Sequence, residues 1–574
     1  MTASTYTGWV PGGWLRRIFA SPAGAMAAMA IFGFVTAATI TFSRGWPALP
    51  AIHDEFSYLL AADTFVRGRL TNPTPPFAEH FETFHVLMQP SYASKYPPAQ
   101  AAFLALGQGL TGEPIVGVWI SIAVLATALT WMLLGWFRLK WALFGASLVV
   151  LMLAAGHGPG PGYWMSTYWG GGVTATGGAL LYGSVRRLTL TPSPLNGVLF
   201  ALGLAILALS RPFEGALVAI PALMVAGKWL LTDRETALGW RLGRVVAPFA
   251  AVAALTLGFM LTYNARVTGD ALQMPYMEHE RQYSNVPIWI FERKNNTHLV
   301  NHPTAEFTRY YENYQETSPW RSVRAFAKSE LDRVVDIKRF LTPGLTLILL
   351  VAALTAGMGR SLLLPLTGSA IVLLGSLGTS WYFPHYIAPM IAPWTILLTA
   401  GAYGLWRLNK DRQRTGPVLV SVIFGAVAVS ALLAPVRLIT ERNSEYSRWY
   451  MTRDSVERAL EQKGGKHIVL VQYGPEHNFD EEWVYNGANI EEAPVIWARS
   501  LTPEKNARFM EYFGDRTVWE ARVDVDSLKS FTLRGADRGY YQTVMRNARA
   551  RRTTHAAAGA VDLRQPPQAA PNGH

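Results

Sequence analysis

Cysteine is absent from this chain of 574 residues. No disulfide framework and no thiolate metal site can form, so any part outside the cytoplasm must hold together by packing alone, as suits a bacterial envelope protein. Charge is scarce as well: Asp, Glu, Lys and Arg make up 16% of the residues against 50% hydrophobic. The chain consequently contains repeated apolar runs of about 20 residues, which match the thickness of bilayer hydrocarbon and have no use in a soluble core. An internal repeat of fixed period is also lacking, which excludes solenoids and propellers. Behind the first apolar run there is no small-residue cleavage site, so that run, led by Arg16 and Arg17, reads as a signal anchor that is retained.

What is present is a series of apolar runs divided by short basic loops. Eleven spans are expected, at roughly 24 to 43, 114 to 137, 141 to 156, 171 to 185, 194 to 210, 212 to 231, 244 to 263, 341 to 358, 361 to 382, 385 to 406 and 416 to 435. The 20 Trp and 23 Tyr gather near their ends, as interfacial belts do. With the N-terminus in the cytoplasm, one set of loops holds Arg16, Arg17, Arg138, Lys140, Arg186, Arg187, Lys228, Arg234, Arg241, Arg244, Arg360, Arg407, Lys410, Arg412 and Arg414. Its only acids are Asp233, Glu235 and Asp411, so this face carries the whole net charge of +12. That is the positive-inside pattern, and it removes nucleic acid as a partner. The run from Pro97 to Leu110 is too short to span and has the length of an interfacial or re-entrant helix; counting it as a span would expel the Arg clusters.

This layout predicts a transmembrane domain over 1–435, with external loops 44–113 and 264–340 and an external C-terminus. The short connections His157 to Gly170, Ser210 to Glu214 and Trp381 to His385 share that outer side. Residues 436–545 contain strand-type runs at His467 to Tyr473, Pro494 to Ala498 and Thr517 to Val523, with a helical run near Glu504 to Tyr512. They read as a small extracytoplasmic α/β domain. From about Arg546 to 574 the chain turns Arg, Ala, Pro and Gln rich and reads as a disordered tail.

Candidate chemistry gathers on the outer side. Asp54 and Glu55 open an amphipathic stretch from His53 to Leu70. Acids in a first helical turn complement the dipole and can cap it. Two adjacent carboxylates near low dielectric also tend to separate their pKa values, which suits a general base. A second group is Gln89, Tyr92, Lys95, Tyr96, Pro97 and Pro98, where Pro starts the short apolar helix and a cation with phenols would suit a phosphate at membrane depth. His157 and its Gly-Pro repeat lead into Tyr163, Trp164, Tyr168 and Trp169, an aromatic turn or a sugar-stacking surface. It lacks the Lys and Ser/Thr of a phosphate-cradling loop. Arg211 and Glu214 stand at i and i+3 between apolar spans, where ionisable residues are functional candidates, and His385 with Tyr386 occupies an equivalent outward position.

An acidic pair after the first span, a surface helix, and a Lys95-Tyr96-Pro97-Pro98 helix start before the second span together resemble the GT-C superfamily of membrane glycosyltransferases. ArnT-like and protein-mannosyltransferase-like enzymes, including the RgtA/B/C/D-like group, are nearest in appearance. The resemblance covers residues 10 to 265, with His53-Asp54-Glu55 matching the acidic motif; the C-terminal α/β part lies outside it. It implies a GT-C-type bundle that transfers a sugar, with inversion, from a polyprenyl-phosphate donor to a glycan, lipid or protein acceptor at the outer face of a bacterial inner membrane. Asp54 would be the base, Glu55 would orient or replace it, and His53, Lys95, Tyr96, Arg211 and His385 would bind substrate. The cations among them would stabilise the leaving phosphate. A divalent metal at the acidic motif occurs in some relatives and is left open here, because one acid pair falls short of a ligand set. The rival class is a transporter or lipid-carrier flippase, which should place ionisable groups near the midplane of broken, repeated helices.

Overall fold

The computed structural model describes residues 21–156, 160–284, 286–292, 304–316, 322–341, 344–355, 359–408, 415–443, 449–524 and 532–536, together with 539, 542, 543 and 546. Arg16, Arg17, His157, Lys410, Arg412, Arg414 and almost all of the tail from 546 lie outside them. The chain divides into two compact units.

The first unit comprises Met1–Thr74, Thr83–Tyr446 and Phe479–Glu482. Its helices in order are α1 (Pro22–Arg44), α2 (His53–Val66), α3 (Pro98–Thr111), α4 (Pro114–Leu134), α5 (Leu139–Ala155), α6 (Gly171–Leu188), α7 (Pro194–Ala208) and α8 (Pro212–Thr232). Then come α9 (Leu238–Thr268), α10 (Pro275–Tyr283), α11 (Ala305–Glu316), α12 (Val323–Leu341), α13 (Leu347–Thr355), α14 (Leu363–Ser376), α15 (Ile391–Arg407) and α16 (Thr415–Asn443). A helix stands at each of the eleven expected positions. Among the described residues, however, only 7 are long and apolar enough to cross a membrane alone, or 8 if α12 and α13 act as one broken span. The shortfall has a physical source: α5 and α7 have 17 and 15 residues, short of hydrocarbon thickness, and the glycine-rich α6 is weakly apolar.

Proline opens many of these helices, α1, α3, α4, α7 and α8 among them, where its missing N–H costs nothing. The span at Ala388–Arg407 is buried almost throughout and forms the middle of the bundle, whereas Leu238–Thr268 buries few of its residues and turns its apolar sides outward, as a lipid-facing helix does. The short helix α3 has 14 residues and lies directly on α4. At their crossing a Cβ on Gly107 would sit 2.2 Å from the Gly117 nitrogen, so two glycines bring the backbones together. A two-stranded antiparallel ribbon, β1 (Val86–Leu87) with β2 (Ala93–Ser94), lies in the segment between α2 and α3.

The second unit comprises Pro75–Glu82, Ser447–Asn478 and Trp483–His574. It contains α17 (Trp449–Lys463), β3 (His467–Tyr473), β4 (Val495–Arg499), α18 (Pro503–Tyr512), β5 (Thr517–Val523) and β6 (Thr532–Gly535). The sheet order is β4-β3-β5-β6; β3 pairs parallel with both neighbours, and β6 is antiparallel. β3 and β4 are largely buried; β3 carries the run Ile468 to Val471 and β4 opens with Val495, Ile496 and Trp497, as parallel strands covered on both faces do. The segment Pro75–Glu82 is clasped here. Arg499 Nε donates to the Glu82 carbonyl at 2.6 Å, His80 Nδ1 lies 2.9 Å from the Arg499 carbonyl, and the His80 ring stacks on Phe509 at 4.3 Å.

Candidate active site

The first turn of α2 separates the two acids, because adjacent helical residues point about 100° apart. Glu55 is buried, 3% exposed, and spends both oxygens on backbone: Oε2 accepts from Ala51 N at 2.8 Å and Oε1 from Tyr168 N at 2.9 Å. Reaching back from the third helical position, it ties the helix start to the Tyr163 to Trp169 turn. Burial raises its pKa, offset in part by those N–H donors and by Arg44. Glu55 therefore does not share the space that Asp54 faces.

Asp54 looks the other way and is 19% exposed. Its Oδ1 accepts from the Tyr96 hydroxyl, and its Oδ2 lies 3.1 Å from His53 Nδ1 and 3.6 Å from His85 Nε2. His53 Nε2 in turn lies 3.4 Å from Asp480 Oδ1, a charge-pair distance. Burial alone would raise the Asp54 pKa. The imidazoles of His85 and His53 and the Tyr96 hydroxyl more than reverse it, holding the carboxyl well below its usual range. Burial opposes a charge on His53 too, but the carboxylates of Asp480 and Asp54 win and push it up to about 9. His85 goes the opposite way: burial and the nearby Lys95 hold it well below the ordinary value against the pull of Asp54. With His85 neutral at pH 7, the counter-charge beside Asp54 is His53.

His85 is held in this place by its backbone. Its φ of 63° lies in the left-handed region that a non-glycine residue rarely adopts. Its carbonyl accepts from Ser57 Oγ at 2.7 Å and from Lys95 N at 3.1 Å, and Ser57 also meets Ser94 Oγ at 2.7 Å. α2 and the β1–β2 ribbon thus fix the geometry jointly.

Lys95, 5% exposed, forms a buried pair with Glu280 of α10 at 3.2 Å and lies 4.8 Å from the Tyr276 ring centre. Burial would raise Glu280, yet Lys95 and His279 pull it down to about 2, so Glu280 is ionised. Beyond this pair opens a cavity of about 410 Å³. Lys95, Tyr96, Arg211 and Glu214 line it together with an apolar wall that includes Phe213, Met260 and Trp289. The Arg211 guanidinium packs 3.5 Å over the Tyr386 ring centre. The Tyr96 ring lines the cavity, and Tyr58 stacks on it at 4.5 Å. His385 borders a small hollow beside Tyr58 and Arg211 and meets the Tyr163 hydroxyl at 2.7 Å. Burial and Arg211 hold it well below the usual histidine value, which disfavours a positive charge there.

The structure therefore brings His53, Asp54, Lys95, Tyr96 and Arg211 to one region and sets Glu55 behind it. Sequence reasoning missed His85, Glu280 and Asp480. Nothing in the order of residues singles them out: His85 sits in an aromatic-rich loop, and Asp480 stands in an acidic run that reads as solvated surface. For a divalent ion, His53, Asp54 and His85 each offer a ligand atom, all within 4.8 Å of one another. Two imidazoles and a carboxylate fit a zinc-type donor set once His53 gives up its proton, with Asp480 behind His53 as carboxylates commonly back a ligating imidazole.

Fold and site define a polytopic, mostly helical membrane protein with an ionised carboxylate beside a largely apolar, cation-bearing cavity. No protein-family model and no curated protein matches the chain. Among solved structures it is similar to ArnT from Cupriavidus metallidurans bound to undecaprenyl phosphate, at 14% identity and a TM-score of 0.49, over 90% of this chain and 94% of that one. It is also similar to the Archaeoglobus fulgidus oligosaccharyltransferase in complex with Zn and sulfate, at 11% and 0.46 over 86% and 68% of the two chains. A third is that organism's AglB with an inhibitory peptide and a dolichol-phosphate, at 11% and 0.43 over 87% and 69%. Likeness at this level assigns no role to any residue here.

Proposed function

We propose that this chain is a GT-C-type integral membrane glycosyltransferase. It takes a sugar from a polyprenyl-phosphate donor and transfers it, with inversion, to a hydroxyl acceptor at the outer face of a bacterial inner membrane. One observation carries the reading: Tyr96 joins the two halves of the chemistry. Its hydroxyl donates to Asp54, while its ring forms the wall of the cavity that Lys95 and Arg211 supply with positive charge. An isoprenoid chain suits the apolar wall, and a phosphate suits the cations.

The acceptor oxygen attacks the anomeric carbon from the side opposite the phosphate, and its proton passes to Asp54. The bond to the phosphate oxygen breaks with its electron pair, and Lys95 and Arg211 stabilise the charge that develops there. A carboxylate with a low pKa is a weak but always ionised base, so the proton moves late, once the leaving bond is largely broken and the sugar carries positive charge. Phosphate needs no acid to leave, which agrees with a neutral His385. His53 and Tyr96 aim Asp54, and Glu55 fastens the turn on which it stands. A divalent ion, where bound, would be held by His53, Asp54 and His85 and would supply Lewis acidity toward the acceptor oxygen.

The test is purified protein in vesicles with radiolabelled polyprenyl-phosphate sugar. Native protein should consume the donor, and Asp54→Asn should lose at least about 100-fold while still folding cooperatively. Full turnover by Asp54→Asn would remove the assignment of the base. Movement of the donor across the bilayer without consumption would favour a flippase.

A further inference from the structure

The segment Phe479–Glu482 belongs to the first unit, although the residues on both sides of it in sequence build the second. Its anchor is Phe479, which meets the Tyr310 ring edge-on at 5.5 Å within an aromatic cluster that includes Phe84, Tyr283, Phe307 and Tyr311. The same Tyr310 ring stands at 90° to His53, 5.5 Å away. One ring thus packs on His53 and on the residue next to Asp480, whose Oδ1 lies 3.4 Å from His53 Nε2.

Asp480 is 52% exposed, whereas His53 is 4% exposed. A pair with one partner so open to water contributes little to folding, so stability does not account for a carboxylate at this spot. Direction does. An imidazole can turn over about its Cβ–Cγ bond, which would present a carbon in place of Nδ1 to Asp54. A carboxylate on the far nitrogen fixes one orientation, the role an aspartate plays behind the histidine of a catalytic triad.

The geometry points to Asp480 as a positioning residue for Asp54: it acts through His53, and it makes residues 479 to 482 a working part of the site. The kinetic consequence rests on the glycosyltransferase reading; the orientation of His53 does not. Aim affects the bond-making step more than donor binding, because the cavity cations are separate groups. Carboxylates that orient a ligating imidazole are worth about 10- to 100-fold in activity, and a loss of that order is expected here.

The experiment uses the full chain in nanodiscs, as native protein and as Asp480→Asn, Asp480→Ala and Asp480→Glu. Two readouts are taken: donor turnover, separated into kcat and KM, and the ring nitrogen signals of His53 in protein labelled with 15N-histidine, identified by their absence in His53→Gln. Asp480→Asn and Asp480→Ala should lower kcat by about 10-fold or more at unchanged donor KM and move the His53 signals, and Asp480→Glu should recover most of kcat. The inference is overturned by unchanged kcat, by a rise in KM alone, or by a loss of rate with unmoved His53 signals. Should the native protein consume no polyprenyl-phosphate sugar, the function proposed above fails, and the His53 signals still decide: displacement in Asp480→Asn upholds the positioning role and constancy refutes it.

Discussion

Asp54 and Glu55 are neighbours in sequence with opposite tasks. The helix turns them apart, so Glu55 meets two backbone N–H groups while Asp54 meets two imidazoles and a phenol. A like-charged pair therefore never forms, and the pKa separation expected from repulsion arises from different surroundings instead. His53 carries a further consequence. Its pKa rises from 6.5 to about 9 on folding, so the stability it contributes is complete below about pH 6.5 and is lost as pH climbs through 9. Water around the half-exposed Asp480 screens its share of that contribution, which leaves Asp54 as the main source. The melting temperature of the detergent-solubilised protein should accordingly fall across that interval, and His53→Gln should flatten the fall. An equal decline in both proteins would show that His53 is not the titrating group.

At the scale of elements, the site depends on α3, the short helix that Lys95, Tyr96 and Pro97 lead into. Its length excludes a span, and its place is set by the crossing with α4. A methyl group on Gly107 would meet the Gly117 backbone, which cannot move aside as a side chain can. Gly107→Ala should therefore cost about 1 to 3 kcal/mol and reduce activity with it, since Tyr96 and the cavity wall move with the helix. Gly109→Ala, where nothing lies within 4 Å, should be neutral or slightly stabilising through helix propensity. Thermal unfolding of the two variants side by side checks this, and equal melting temperatures would show that the crossing is not tight.

For the whole molecule, the positive-inside rule predicts that the basic loops face the cytoplasm and the site faces the other side. The lack of cysteine makes this directly measurable, because an introduced thiol is labelled without background. Leu272→Cys and Glu504→Cys should react with an impermeant maleimide on intact spheroplasts, and Leu190→Cys and Glu235→Cys only after lysis. The reverse pattern would invert the layout and place Asp54 on the cytoplasmic side.

Much of this molecule was legible from residue order, because the forces concerned are local or periodic. Apolar runs located a helix at each expected position, alternation and Val-Ile content located β3 and β5 to the residue, and proline marked the start of α3. The number of spans was less legible: α5 and α7 are apolar throughout yet too short, and hydropathy alone does not show where a helix ends inside the protein. The partners of Asp54 were not legible at all. His85, Glu280 and Asp480 reach the site from three separate stretches of chain, and only the packing of α2, the ribbon, α10 and the 479–482 segment puts them within a few ångströms of His53, Asp54 and Lys95. Residue order determined where the apolar helices lie and the acid placed beside them, since both follow from spacing along the backbone; tertiary structure decided which of two adjacent carboxylates is spent on backbone N–H groups and which meets the imidazoles and the Tyr96 hydroxyl, since those partners come from distant residues.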